Sequence, residues 1–430
     1  MKRVIVLSAA LCFCSLLFAN DIVGAWSGTL NVSEASMRLI LHIQQTDEGY
    51  SATMDSPDQA ATGIVMSHVS YMENRLIVEL RVAGMKYEGT LNGDVIHGTF
   101  AQAGQVFPLD LNRISTQPVR VDEETEAVSV FEESDLRLKT STGTIYATLT
   151  LPKTDDSLPV ALIVAGSGPT DRNGNNPSMT HNAYKMLAHE LANRGIASLR
   201  YDKRGIAHSA AAVESEDQLR FDDYVNDARA WLELLAADGR FSQCVVIGHS
   251  EGSLVGMLAA DKADKMISIS GPGRSADELL KEQLKAYPEA LRAKAYPAID
   301  RLAAGERVHM DAEMQKESLL VALFRPAIQP YLISWFAYKP QEVIQDMTIP
   351  VLIVQGTTDV QVPVEEANRL KEAQPKAHLC VLDGMNHVLK TAPTDRSANL
   401  AAYNQPELPL TDGLVERIVQ FIASDYSSFQ

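Results

Sequence analysis

The chain is short of cysteine, of aromatic residues and of positive charge. Four cysteines stand among 430 residues, and Cys12 and Cys14 lie in the first apolar stretch. The remaining two, Cys244 and Cys380, sit in apolar strand-like runs and read as buried thiols. A disulfide scaffold is therefore excluded as the source of stability. Phe, Trp and Tyr make up 6% of the chain. Lys and Arg number 38 against 55 Asp and Glu, a net charge of −17. That field makes nucleic acid and an anionic membrane surface poor partners. After the first residues no stretch reaches the roughly 18 continuous apolar residues of a membrane span. No His-Glu-x-x-His pair and no Walker-type phosphate loop occurs, and Asp55, Asp58, His68 and His97 lack metal-ligand spacing. We expect neither metal nor cofactor.

What is present begins with a leader. Lys2 and Arg3 precede an apolar run from Val4 to Phe18, which Ala19 ends. A basic head, a short apolar core and a small residue at the cut form a signal peptide over residues 1–19. The mature protein is then periplasmic or secreted. Bulky Phe13 before Cys14 argues against a lipid attachment site. Length predicts two or three domains.

Residues 20–113 read as an all-β domain, a small barrel or sandwich. Met37, Leu39, Leu41 and Ile43 alternate with more polar neighbours, the period of a half-buried strand. Asn92-Gly93-Asp94 is a hairpin turn between two further strands. Trp26, Tyr50 and Tyr71 read as core aromatics. Residues 114–134, with Ser115-Thr116-Gln117-Pro118 and the acidic run from Asp122 to Glu126, read as a solvated linker.

From 135 the rhythm changes. After hairpin material comes a repeated alternation of apolar strands and amphipathic helices, from Val160–Ala165 to the helix Leu414–Ser424. Strands without polar alternation, separated by helices, predict a mostly parallel sheet covered on both faces. The alternation stops over residues 273–345, a mostly helical stretch broken by Pro288, Pro297, Pro326, Pro330 and Pro340. It is too long for a connection and reads as an inserted helical cap.

The run Cys244-Val245-Val246-Ile247 feeds Gly248-His249-Ser250-Glu251-Gly252, and a helical segment follows. Strand, sharp turn and helix around Gly-x-Ser-x-Gly form the setting of a nucleophilic serine. A serine hydroxyl needs a base, a group that orients the base, and donors for the oxyanion. Asp359 follows the strand Val351–Gln355, and His387 follows the strand Leu379–Leu382. Ser250, Asp359, His387 is the chain order of the α/β-hydrolases. The backbone N–H of Glu251 is one expected oxyanion donor. The loop Gly166-Ser167-Gly168-Pro169 supplies the other, with Ser167 the first choice and Gly168 the second. Asp202 and Arg204 follow a buried strand and read as an ion pair or loop brace. Tyr331, Trp335 and Phe336, in an aromatic-rich cap segment, read as core packing or as walls of a substrate pocket.

Together, Gly166-Ser167-Gly168-Pro169-x-Asp171-Arg172, Tyr201-Asp202-Lys203-Arg204-Gly205-Ile206-Ala207-x-Ser209, Gly248-His249-Ser250-Glu251-Gly252, Gly356-x-x-Asp359-x-x-Val362-Pro363 and Asn386-His387 resemble bacterial α/β-hydrolase carboxylesterases related to the serine aminopeptidase-like group. The resemblance covers residues 135 to about 425. It implies an α/β-hydrolase fold, a Ser-His-Asp triad, no metal, and short acyl esters as the usual test substrates; we expect an exported carboxylesterase of short-chain acyl esters, with acyl groups on carbohydrates among the candidates. The small-molecule ester is the expected partner, and a homo-oligomer is compatible with the sequence. Two departures stand out. Relatives often have His where Ala165 precedes the loop, and glycine where Ala207 stands. Two alternatives remain: a serine aminopeptidase or amidase, with Glu251 or Glu282 meeting a substrate amine, and a ligand-binding protein with a relic triad.

Overall fold

The computed structural model describes residues 22–32, 35–46, 49–56, 61–102, 105–114 and 130–424. The expected signal segment, Asp58 and the acidic run 122–126 lie outside the described residues.

Residues 24–114 form one antiparallel sheet of ten strands. Alternation is its organising pattern: Leu39, Leu41 and Ile43 are buried, while Arg38 and His42 are not. Gly93 and Asp94 close the hairpin between Met85–Asn92 and Val95–Gln102. The Gly93 φ of 62° is the left-handed conformation such a turn demands. The sheet wraps one core around Trp26, Leu41, Leu76, Val78 and Ile96. Trp26 is fully buried under the Arg113 guanidinium, 4.1 Å from its ring centre. Tyr50 and Tyr71 meet edge to face at the margin of this core.

The second sheet holds β1 (Phe131–Lys139), β2 (Thr144–Pro152), β3 (Leu158–Val164), β4 (Ala197–Tyr201), β5 (Phe241–His249), β6 (Lys265–Ile269), β7 (Val351–Gly356) and β8 (His378–Leu382). Their spatial order is β1-β2-β4-β3-β5-β6-β7-β8. β3 to β8 are parallel, and the first two are antiparallel. This is the α/β-hydrolase architecture. β1 starts four residues before the expected domain boundary. Its acidic Glu132 and Glu133 resemble a linker, but Glu133 pairs with Arg200, buried on β4. Charge on an edge strand hides it from a hydropathy reading.

Side chains of the central strands divide by parity. Val160, Leu162 and Val164 enter the core under α2 (Phe221–Ala236) and α3 (Glu251–Ala259). Ala161, Ile163 and Ala165 enter the opposite core, under α1 (Ala183–Ala192) and the C-terminal helix Leu414–Ala423. Both faces are thus covered, as the unbroken apolar strands require.

Between β6 and β7 lies the cap: α4 (Ala276–Leu284), α5 (Glu289–Ala303), α6 (Ser318–Phe324), α7 (Gln329–Phe336) and α8 (Pro340–Gln345). Pro288 caps α5, and Pro330 and Pro340 occupy the first turns of α7 and α8. Those positions tolerate proline because their N–H groups have no helical acceptor. Pro297 is the exception and lies inside α5. Among the described residues no single helix is long and apolar enough to cross a membrane.

Asp202 and Arg204 do not pair with each other. Asp202 holds Arg172 at 2.7 Å, and Arg204 forks onto Asp227 of α2 with its Nε at 2.7 Å. Both carboxylates are buried, so two separate braces fix the 201–209 turn. Within it, Ala207 has φ 45°, a region where a Cβ is strained. That explains why glycine suits the position. Ala207→Gly is expected to stabilise the fold by about 1 kcal/mol, read as a higher urea midpoint with an unchanged slope. An equal or lower midpoint would contradict it.

Candidate active site

β5 delivers Ser250 into a tight turn at φ 54°, ψ −123°. A non-glycine residue at such angles costs on the order of 1–3 kcal/mol and persists only where its surroundings enforce it. They do so here by close approach. A Cβ on Gly248 would lie 2.2 Å from the Gly252 carbonyl oxygen. One on Gly252 would lie 2.3 Å from the Val164 carbonyl oxygen. The Ser250 N–H donates to the Ile269 carbonyl across the sheet, at 2.9 Å.

Asp359 and His387 come from the loops after β7 and β8. Asp359 Oδ2 accepts from His387 Nδ1 at 2.8 Å. Asp359 Oδ1 accepts the backbone N–H groups of Gln361 and Val362 at 2.8 and 2.9 Å. Burial pushes this carboxyl up, but the facing imidazole and the backbone donors outweigh it and hold its pKa below the usual range. With the carboxylate as acceptor, the proton of His387 is on Nδ1 and the Nε2 lone pair is free.

The His387 loop is tied to the elbow by a residue the sequence did not single out. His249 Nε2 donates to the His387 carbonyl at 2.8 Å. Its Nδ1 accepts from the Tyr184 hydroxyl at 2.7 Å, and that hydroxyl accepts the Gly166 N–H at 3.2 Å. Burial and the neighbouring His387 push the His249 pKa down to about 3, so it stays neutral and fills both roles. This relay joins the Gly166 loop, the elbow and the His387 loop through His249.

The Gly166 loop lies against the serine. A Cβ on Gly166 would sit 3.1 Å from Ser250 Cβ. Among the described residues, neither the Ser167 N–H nor the Glu251 N–H donates to a protein acceptor. Gly168, one residue on, is exposed with φ 74°. Support missing at Ala165 comes from Tyr184 on the Gly166 N–H and from Lys203, whose Nζ donates to the Gly166 carbonyl at 2.6 Å. Lys203 also pairs with Glu251 Oε1 at 3.1 Å, and the Tyr331 hydroxyl donates to Glu251 Oε2 at 2.8 Å.

A cavity of about 190 Å³ opens beside this loop, lined by Gly168, Pro169, Ile206, Leu219, Ile328 and Tyr331 among others. Trp335 and Phe336 do not line it. Trp335 stacks on Phe221 with ring centres 5.8 Å apart, and Phe336 is buried in the core. The cavity shares Pro169, Gly205 and Ile206 with a second hollow that reaches Gly63 and Val65 of the N-terminal sheet. That hollow in turn shares Gly63, Val65, Asp171 and Ala207 with a polar cleft of about 370 Å³. A serine on a strained turn, a buried carboxylate–imidazole pair and two backbone N–H groups without protein acceptors are the kinds of group that nucleophilic acyl transfer requires. Among the described residues no cluster of His, Cys, Asp or Glu could hold a metal ion.

Residues 178–392, half of the chain, match the serine aminopeptidase, S33, family. The chain is 28% identical over 268 residues to the esterase EstD of Thermotoga maritima. That match spans 60% of this chain and 60% of the relative's length. Among solved structures it is similar to Est1E from Butyrivibrio proteoclasticus, at 17% identity and TM-score 0.43, over 67% of this chain and 99% of that one. It is also similar to a puromycin-hydrolyzing peptidase of Mycobacterium tuberculosis, at 16% identity and TM-score 0.44, over 83% of this chain and 50% of that one.

Proposed function

Because the chain belongs to the serine aminopeptidase, S33, family, we propose that it is an exported serine carboxylesterase acting on short acyl esters. Ser250 Oγ attacks the ester carbonyl while His387 Nε2 takes its proton, and Asp359 steadies the imidazolium. The N–H groups of Glu251 and Ser167 receive the oxyanion. Collapse expels the alcohol, which takes the proton from His387. Water, activated by the same base, then hydrolyses the acyl-enzyme.

The observation that carries this reading is the strained Ser250 elbow beside the buried Asp359–His387 pair. Among the described residues Ser250 Oγ makes no hydrogen bond to His387, and catalytic contacts of this kind tighten when substrate binds. The hollows that share lining residues with the cavity beside Gly168 and Pro169 end in a polar cleft against Gly63 and Val65 of the N-terminal sheet, and we propose a hydroxyl-rich alcohol such as an acylated sugar as the group to test there. Export rests on the leader at 1–19, and mass analysis of the mature protein tests the cut after Ala19.

The ester reading is preferred over an aminopeptidase because the nearby carboxylates are engaged. Glu251 is buried between Lys203 and Tyr331, and Glu282 pairs with Arg274 and Lys285. Neither is free to meet a substrate ammonium. The protein is expected to turn over p-nitrophenyl acetate and leave L-alanyl p-nitroanilide intact; the opposite preference makes it a peptidase. Failure of a fluorophosphonate probe to label Ser250 would favour a binding protein with a relic site.

A further inference from the structure

We infer that Lys203 is a positioning residue for the oxyanion, acting through the Gly166–Ser167 peptide; the inference rests on the esterase reading above. The Gly166 carbonyl and the Ser167 N–H belong to one planar, conjugated unit. An ammonium on the oxygen withdraws charge through that unit and makes the N–H at its other end a better donor. Hydrogen bonds in series polarise one another in this way, by roughly 10–30% per bond. The contact is short, 2.6 Å, and Lys203 is 1% exposed, so water does not screen it.

The geometry also restrains the peptide that carries the donor. Gly166 is held at its N–H by Tyr184 and at its carbonyl by Lys203. A Cβ on Gly166 would lie 3.1 Å from Ser250 Cβ, so its backbone runs close beside the serine. The plane carrying the Ser167 N–H therefore has little freedom beside the nucleophile.

Charge supplies a second reason. Glu251 contributes its backbone N–H to the same oxyanion, yet its buried carboxylate is negative and one residue from Ser250. A negative group there opposes the developing oxyanion. Lys203 neutralises it at 3.1 Å, while Tyr331 takes its other oxygen. The Tyr224 ring face, 4.8 Å from the ammonium, completes the shell. The ammonium thus serves both donors, strengthening one and cancelling the charge beside the other.

The test uses the full chain and four variants: Lys203→Met and Lys203→Gln, each alone and each with Glu251→Gln so that no buried carboxylate is orphaned. Thermal unfolding identifies the folded ones. In these, kcat on p-nitrophenyl acetate is expected to fall about 10- to 100-fold, with KM within about threefold because the interaction matures only in the transition state. A trifluoromethyl ketone, whose adduct with serine carries the oxyanion, should lose affinity by the same factor. A folded variant with wild-type kcat overturns the inference. So does one that loses kcat but keeps ketone affinity, since that pattern belongs to packing alone. Unfolding of all four also overturns it, by making the ammonium purely structural. Absence of fluorophosphonate labelling in the wild-type protein instead removes the esterase reading, and this inference with it.

Discussion

Replacing Ser250 with alanine is expected to lower kcat/KM on p-nitrophenyl acetate by about five to six orders of magnitude. Removing the hydroxyl deletes the covalent route, and what remains is binding and oxyanion stabilisation, worth roughly 10³–10⁴ over water. The fold should not notice. Alanine keeps the Cβ that makes φ 54° strained, and the N–H to Ile269 stays in place. The Ser250→Ala protein should therefore unfold at the wild-type midpoint, resist fluorophosphonate, and bind substrate without a burst of product. A variant with wild-type turnover would remove Ser250 from the reaction and the esterase proposal with it.

The second large effect is Asp359→Asn, expected to lower kcat by about 10⁴. The reason lies in how Asp359 is held. Its Oδ1 accepts two backbone N–H groups, from Gln361 and Val362. An asparagine must keep its carbonyl oxygen there, because turning its amide round would set N–H against N–H. The amide nitrogen then faces His387 Nδ1 and donates to it. That reverses the tautomer: the proton moves to Nε2, where it faces Ser250 and can no longer accept. The same nitrogen also confronts Gln355 Nε2, which donates to Oδ2 at 3.3 Å in the wild-type protein, so some loss of stability accompanies the loss of rate. Steady-state kinetics with a thermal melt separate the two. A fall of less than about tenfold would mean that Asp359 does not set the tautomer.

The sequence displays best those features that depend on neighbours along the chain. Short apolar runs such as Val160–Ala165, bounded by turn signals, mark strands, and Gly248 and Gly252 announce a close approach by their lack of a side chain. The placement of Asp359 and His387 just after such runs was legible for the same reason. What stayed hidden depends on contacts between distant segments. Lys203 lay inside a quoted motif, yet only folding sets its ammonium on the Gly166 carbonyl, 37 positions away. Tyr184 and His249 meet across 65 positions, and no local pattern marks either as a partner. Asp202 and Arg204 were legible as braced charges but not as partners of Arg172 and Asp227, because two residues flanking Lys203 in a turn need not face one another. In the aromatic segment, Tyr331 reaches the cavity while Trp335, one helical turn on, turns to Phe221. Helical spacing alone could not separate them.

The His249 link to the His387 carbonyl has a consequence for how the molecule comes into being. It spans 138 positions, and everything between, the whole cap included, is synthesised before the base exists. Domains fold as units during synthesis, so the domain of the second sheet cannot complete its fold until the loop after β8 has been made. A nascent chain that has not passed β8 lacks both the Asp359–His387 pair and the carbonyl that anchors His249. On the proposed reading Ser250 has no base until the final parallel strand is in place and the His387 carbonyl meets the His249 ring.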